Sequence, residues 1–229
     1  MTAPPHPDAI AALKRLREGN ERFVNHVLSI EALASLSRRN QLLLDQRPSA
    51  IVLGCSDSRA PAEMVFDQGL GDLFVIRLAG NVVAPSGVGS VEFAAERFGT
   101  RLVVVMGHTH CGAVAAALEP DPPGVTRNAL SIVGRVRPAV ETVRQTLYGV
   151  DKKVMLNEAA RANVRAQAAA LRQGSSLIEG LILEDGLVVV GALYDLETGK
   201  VDFFDGLPRG TTLVGLAAAE PPATTEPRD

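Results

Sequence analysis

Residues 50–59 read AIVLGCSDSR, and residues 102–112 read LVVVMGHTHCG. Each stretch is a short run of apolar, mostly β-branched residues followed directly by cysteine or histidine. A continuously apolar run, unlike an alternating one, is typical of a strand that is buried on both faces, as in a parallel sheet. The two stretches therefore predict two buried strands with chemically reactive side chains at their carboxyl ends.

Two further apolar runs extend this pattern, residues 73–78 and residues 187–193. Helical patterns at 61–66 and 88–98 separate the first three strands, and this alternation predicts parallel strands joined by right-handed crossovers. After the fourth strand, the turn-like segment LETGK leads to an alternating strand near 201–204, which predicts a hairpin at the sheet edge. The predicted fold is α/β: a mostly parallel four-stranded sheet with an added antiparallel edge strand, flanked by helices.

Further helices are predicted before the first strand and between the third and fourth strands. Residues 8–25 form an amphipathic pattern, and a second helix is predicted from Ile30 to about Asp45, before Pro48. We expect these helices to form an N-terminal arm over residues 8–46. Later, one apolar stripe continues across Pro138, which predicts either a kinked helix or two abutting helices. A long helix is predicted from about 151 to 173, ending at Gly174.

Length and charge restrict the function classes. The 229 residues contain no interior linker, so we expect one domain over residues 1–216 and a disordered tail over 217–229. The formal net charge is −3 and no basic stripe is visible, which argues against nucleic-acid binding. The longest apolar runs, such as 187–194, have eight residues, whereas a membrane helix needs about 20. With no signal-peptide pattern either, we expect a cytoplasmic protein without membrane partners.

Cysteine and histidine supply a candidate metal site. Cys55 follows the first predicted strand, and His108 and Cys111 follow the third. If these strands are neighbours, the three side chains converge at one edge of the sheet. Two thiolates and one imidazole are three of the four ligands of a tetrahedral zinc site, and the fourth position stays open for water or a carboxylate. The other three histidines are not expected to be ligands; they are His6, His26 and His110.

Asp57 and Arg59 lie two and four residues after Cys55. This spacing allows a bidentate ion pair that fixes the carboxylate beside the metal. The alternative interpretations are a surface ion pair or a helix cap, since Pro61 begins a predicted helix. A thioredoxin-like redox pair is a weaker interpretation of the cysteines, because it needs the spacing CxxC, whereas Cys55 and Cys111 lie 56 positions apart.

The motif CSDSR at 55–59, followed by HTHCG at 108–112, resembles the β-class carbonic anhydrases. The resemblance extends to LREGNERFV at 16–24, GDLFVIRLAGN at 71–81 and GALYDLETG at 191–199. It implies that Cys55, His108 and Cys111 bind Zn²⁺ and that Asp57 and Arg59 form a catalytic dyad. It also implies that Asp57 is a candidate fourth zinc ligand in a closed state of the site.

Four more positions match the family's substrate pocket less strongly: Gln46, Phe74, Phe93 and Gly112. Gln46 corresponds to a glutamine that contacts the zinc-bound ligand, and the two phenylalanines correspond to apolar positions that line the pocket. The alternative for Gln46 is a solvated helix end, and for the phenylalanines an ordinary place in the core. Gly112 is expected to let the backbone approach the ligand.

The resemblance implies the reversible hydration of carbon dioxide to bicarbonate and a proton, carried out by a homodimer or homotetramer whose arms wrap the partner. Two alternatives stay open. One is hydrolysis of carbon disulfide or carbonyl sulfide on the same scaffold, and the other is a zinc-stabilised binding protein without turnover.

Overall fold

A five-stranded mixed sheet forms the centre of the molecule. The computed structural model describes residues 6–28, 35–120, 126–147 and 149–208. The strand order is β2-β1-β3-β4-β5; the first four strands run parallel, and β5 pairs antiparallel with β4. This confirms the predicted fold class. The strands are β1 (Ala50–Gly54), β2 (Leu73–Arg77), β3 (Leu102–His108), β4 (Val188–Tyr194) and β5 (Val201–Asp205).

Helices cover both faces of the sheet, which is why its central strands read as continuously apolar. Successive strand residues point to opposite faces. Val52 and Val104 therefore pack in a first core with the helix Pro7–Val24, while Ile51 and Val103 pack in a second core with the helices Pro85–Arg97 and Lys152–Gln173. The helices are α1 (Pro7–Val24), α2 (Leu36–Gln41), α3 (Ala62–Val65), α4 (Pro85–Arg97), α5 (Gly112–Leu118), α6 (Arg127–Thr146), α7 (Lys152–Gln173) and α8 (Ser176–Glu184), with a 3₁₀ turn at Ala79–Asn81.

The first helix belongs to the body of the chain. Leu13 and Leu16 of α1 are fully buried in the first core. Asn20 donates from Nδ2 to the carbonyl oxygens of Val65 at 3.0 Å and Gly199 at 2.9 Å, and so ties α1 to the end of α3 and to the turn between β4 and β5. Within the described residues, the arm predicted over 8–46 therefore divides into a docked helix, α1, and a helix without buried side chains, α2.

The second predicted helix is shorter than expected. In the described part it begins after the Ser35 cap and ends at Gln41, so its predicted continuation to Asp45 is wrong. Leu43 and Leu44 are 76% and 99% exposed, and without a core to pack against on this chain a short helix gains too little to continue. The predicted start, at residues 30–34, lies outside the described residues, as does the tail predicted to be disordered at 217–229.

Two details in the second half of the chain go beyond the sequence patterns. Arg127–Thr146 is one helix with Pro138 inside it. Pro138 and Gly134, whose carbonyl loses its partner, both lie on the exposed side, where water can replace the missing hydrogen bond. Helix α8 was not predicted, although Ser175 caps it by accepting a hydrogen bond from the Ile178 amide at 3.1 Å. Among the described residues, no helix is long and apolar enough to cross a bilayer.

The docking of α1 can be tested with a pair of glycines. A methyl group at Gly19 would overlap the carbonyl oxygen of Phe66, whereas one at Gly180, in α8, would meet nothing within 4 Å. We expect Gly19→Ala to lower the free energy of unfolding by about 3 kcal/mol or more, and Gly180→Ala to raise it by about 0.5–1 kcal/mol. Urea denaturation at one fixed protein concentration measures both. Equal effects of the two substitutions would contradict the docking of α1 on its own sheet.

Candidate metal centre

Parallel pairing brings the three predicted ligands together. β1 and β3 are neighbours, and Gly54 stands opposite Met106 in the register. Cys55 follows Gly54, His108 is the last residue of β3, and Cys111 caps the start of α5. The sulfur atoms of the cysteines and a ring nitrogen of His108 lie within 4.8 Å of one another, and all three residues are buried. The predicted convergence is confirmed.

The hydrogen bonding of His108 prepares it as a ligand. Its Nδ1 lies 2.8 Å from the carbonyl oxygen of Thr109, so Nδ1 carries the proton and donates it. Nε2 then keeps its lone pair, and it is buried without a hydrogen-bond partner among the described residues. A backbone carbonyl that fixes the tautomer in this way is typical of histidines that bind metal through the other nitrogen.

The two cysteines share their protonation. The thiol of Cys111 beside the Cys55 sulfur lowers the pKa of Cys55, as do His108 and two backbone amides, although burial opposes this. The same contact with Cys55, together with burial, raises the pKa of Cys111. One thiolate is therefore already favoured at Cys55, and a metal ion must displace the second proton from Cys111.

These observations fit zinc. Two thiolates and one imidazole are a common zinc donor set. The lone pair of the buried Nε2 of His108, which has no hydrogen-bond partner among the described residues, is available to bind a metal ion. Three protein ligands leave one position open, which distinguishes a reactive site from a closed structural one.

A fixed carboxylate stands beside the ligands. Arg59 donates from Nε and Nη2 to the two carboxylate oxygens of Asp57 at 2.9 and 2.8 Å, and its backbone amide adds a third bond at 2.9 Å. Oδ2 of Asp57 lies 3.8 Å from Nε2 of His108. The Arg59 side chain holds the pKa of Asp57 well below its usual range, with burial opposing it. Asp57 does not cap α3, which follows Pro61, so the bidentate pairing is the arrangement present.

Sequence reasoning missed Arg77, the last residue of β2. Its Nε donates to the carbonyl oxygen of Cys55 at 2.9 Å, and its Nη2 donates to the carbonyl oxygen of Asp57. Arg77 therefore fixes the backbone of the CSDSR loop from the neighbouring strand. The available signal was its place at the carboxyl end of a predicted strand, the same edge that carries Cys55.

Gln46 does not approach the metal ligands of its own chain. It precedes β1 and borders a cavity of about 540 Å³ that Ser49 and Arg101 also line, at the amino ends of the strands. Cys55 lies at the carboxyl end of β1, on the opposite edge of the sheet. Gln46 can therefore meet such a metal site only on another chain.

The predicted pocket phenylalanines also lie away from the ligands within one chain. Phe74 stands opposite Ile51 in the sheet register, before the strand ends at Gly54. With Phe93 and Phe98 it forms an aromatic cluster whose ring centroids lie 5.9–6.4 Å apart. Phe93 is nevertheless 55% exposed, which is unusual for an ordinary core residue.

The remaining candidates behave as expected or show no special geometry. His110 contacts Glu197 through Nε2 at 3.2 Å, and His6 caps α1, so neither is a ligand. His26 lies just after α1 and is exposed. Gly112 begins α5, and a methyl group there would meet nothing within 4 Å, so crowding in this chain does not require glycine.

Comparison with known proteins gives one consistent result. A family model described as carbonic anhydrase matches residues 50–201. Carbonic anhydrase 2 of Mycobacterium tuberculosis is 39% identical, with 86% of this chain and 93% of that protein covered. The carbonic anhydrase of Mycolicibacterium smegmatis is 37% identical, with 86% and 94% covered.

Solved structures agree. The β-carbonic anhydrase CafA of Aspergillus fumigatus superposes with a TM-score of 0.69 at 28% identity, covering 86% of this chain and 91% of that one. One of two tetrameric β-carbonic anhydrases of Sordaria macrospora gives 0.68 at 27% identity, covering 72% and 85%.

Zinc retention tests the ligand set. The protein should bind zinc at about one ion per chain, and Cys111→Ser should reduce this to a small fraction, because a hydroxyl replaces a thiolate poorly at zinc. Ala117→Ser is the matched control, since it places a hydroxyl at another buried position of α5. Metal analysis after dialysis measures all three proteins. Full zinc in a variant lacking both Cys55 and Cys111 would reject the site.

Proposed function

The chain belongs to the β-class carbonic anhydrases, a family of zinc enzymes, and from this premise we propose that it catalyses the reversible hydration of carbon dioxide to bicarbonate and a proton. The observation that carries the proposal is the three-ligand site with a carboxylate fixed beside it. Cys55, His108 and Cys111 would hold the ion, and Asp57 lies where it can contact a molecule at the open position.

Bound zinc lowers the pKa of water, so that hydroxide becomes available near neutral pH. The two thiolates moderate this effect, because Cys55 and Cys111 together cancel the +2 charge of the ion. A site with three imidazoles would acidify water more strongly. Groups of the chain that orient the water therefore matter more here, and Asp57, whose Oδ2 lies 3.8 Å from Nε2 of His108, is such a group.

Asp57 orients the water as a hydrogen-bond acceptor. Its carboxyl is anionic at neutral pH, as that of an ordinary aspartate is, and Arg59 lowers its pKa further. The bidentate pairing fixes the direction of both oxygens, and one of them faces the metal ligands. Without Arg59 the carboxylate would be free to take the fourth metal position itself, and this closed site would have no place for water. Arg59 thus holds the site open.

The proposal extends to the substrates and to the cellular compartment. Carbon dioxide and bicarbonate are the substrates that the three-ligand site would serve. Neither cysteine forms a disulfide, which suits a reducing compartment and supports a cytoplasmic location.

Stopped-flow measurement of carbon dioxide hydration tests the proposal directly. The zinc-loaded protein should turn over carbon dioxide, and Asp57→Asn should lower kcat about 100-fold, because the amide cannot accept hydrogen bonds as the carboxylate does. Asp202→Asn is the matched control: Asp202 pairs with Arg161 at 2.7 Å on the edge strand β5. It should leave kcat unchanged.

The same assay separates the alternatives. Carbon disulfide or carbonyl sulfide turnover without carbon dioxide turnover would assign a hydrolase on this scaffold. A fully zinc-loaded protein that turns over none of the three substrates would reject catalysis in favour of a zinc-stabilised binding protein.

We further propose that the active site is completed by a second copy of the chain, in a homodimer or homotetramer. Gln46 lies at the wrong edge of its own sheet to reach Cys55. The nearby Leu43 and Leu44, and also Phe93, expose large apolar surfaces that a partner would cover. The tetrameric assembly of the Sordaria macrospora enzymes is consistent with this.

Mixing two inactive variants tests the shared site. The Gln46→Ala and Cys111→Ser proteins should each have low hydration activity alone. A mixed dimer would combine the intact metal site of one chain with the intact Gln46 of the other. After subunit exchange at equal amounts, activity should rise to roughly a quarter of wild type, because half of the dimers are mixed and each has one complete site.

The control mixes Gln46→Ala with the double variant Gln46→Ala, Cys111→Ser, which offers no intact Gln46. It should show no gain. If the first mixture shows only the average of its components, Gln46 does not act across the subunit boundary.

A further inference from the structure

A backbone amide outside the ligand motifs contacts one of the metal ligands. The amide nitrogen of Gly80 lies 3.3 Å from the sulfur of Cys55 and donates a hydrogen bond to it. Gly80 belongs to the 3₁₀ turn that follows β2, and its φ of 66° lies in the left-handed region that favours glycine. A methyl group there would lie 3.0 Å from Cβ of Ala113 and 3.2 Å from Cγ2 of Val136. The turn is therefore closely fitted against the helices beside the metal site.

Helix α7 holds this turn through two buried polar side chains. Asn163, which is 0% exposed, donates from Nδ2 to the carbonyl oxygen of Gly80 at 2.9 Å. Gln167, one helical turn later, donates from Nε2 to Oδ1 of Asn163 at 3.1 Å. The Oε1 of Gln167 accepts the amide of Val83 at 2.7 Å. Asn163 and Gln167 thus fix both ends of the segment from Gly80 to Val83.

This arrangement has a chemical consequence at the metal. An N–H that donates to a thiolate withdraws negative charge from the sulfur, so the sulfur gives less charge to the ion. Two thiolates already make the site formally neutral. A donor on Cys55 offsets part of that neutralisation and leaves the ion a stronger acid towards water.

We propose that Asn163 and Gln167 are positioning residues that tune Cys55 as a zinc ligand, by holding the amide of Gly80 against its sulfur. The proposal rests on the zinc site described above. Among the described residues, neither side chain is hydrogen-bonded to a metal ligand; each acts through the backbone of the turn. Apolar residues at these two positions would leave the carbonyl of Gly80 and the amide of Val83 without these hydrogen bonds, so the two side-chain amides are what keeps the turn in place against Cys55.

Cobalt substitution tests this without any substrate. Co²⁺ bound to thiolates shows a sulfur-to-metal charge-transfer absorption whose energy depends on the charge at sulfur. In Asn163→Ala the turn loses its tether and the sulfur becomes more electron-rich, so this band should move to longer wavelength. In the zinc-loaded protein, competition with a chelator should show zinc affinity weakened about 10-fold, because the Cys55 thiolate loses a hydrogen bond that favours it over the thiol and the ligand is held less firmly.

Leu171→Ala is the matched control, since Leu171 is equally buried on α7 but belongs to the second core, whereas Cys55 and Cys111 lie in a separate apolar cluster. It should lower stability without moving the band or the zinc affinity. If Asn163→Ala does not fold, Gln167→Leu tests the same tether and should shift the band in the same direction by a smaller amount.

The outcomes are distinct. A folded Asn163→Ala or Gln167→Leu protein with the wild-type band and wild-type zinc affinity would overturn the proposal, as would equal shifts in Leu171→Ala. If the variants shift the band but the zinc-loaded wild-type protein does not hydrate carbon dioxide, this inference is supported and the proposed function is rejected.

Discussion

The parallel pairing of β1 with β3 is the constraint on which the rest of the molecule depends. These strands are the second and third of five in the sheet order, and they pair from Ile51 with Val103 to Gly54 with Met106. Because both are buried on two faces, a one-residue slip would exchange every core contact, so the register is strongly specified. That register sets Cys55 and His108 at one edge, where the third ligand, Cys111, also lies.

Cys55 and Cys111 lie beyond the strands and His108 is the last residue of β3, so the positions of these ligands depend on polar groups outside the core. Arg77 on β2 binds the carbonyls of the CSDSR loop, Arg59 fixes Asp57, and the carbonyl of Thr109 fixes the tautomer of His108. The bonds of Arg77 reach the loop from the neighbouring strand, whereas Arg59 and Thr109 lie within two positions of their partners along the chain. All of these bonds are made by the protein itself, which is what a preorganised metal site requires.

The sequence predicted the parts of this molecule that depend on local patterns. The four parallel strands and the edge strand followed from apolar runs and turn residues, and the three ligands followed from their places at strand ends. Helix α8 was missed because its sequence, SLIEGLILE, is a short apolar run that strand and helix patterns share. The second helix was predicted too long for a different reason. Its sequence has a helical pattern, but the apolar side chains at its end do not pack in a core of this chain.

Other parts could not be predicted because they depend on long-range contacts. Arg77 and Asn163 act on Cys55 and Gly80 from 22 and 83 positions away, and no local spacing marks such pairs. The role proposed for Gln46 depends on a second chain. Its position becomes informative only once the sheet shows that Gln46 lies at the end of the strands opposite the metal ligands.

X-ray absorption at the zinc edge, on the zinc-loaded protein at neutral pH, tests the central claim most directly. Two sulfur scatterers at about 2.3 Å, one imidazole nitrogen at about 2.0–2.1 Å and one further light atom would match the site built by Cys55, His108 and Cys111. A shell of four sulfurs, or of oxygen and nitrogen alone, would contradict it, because it would show that the meeting of these two strand ends does not hold the metal.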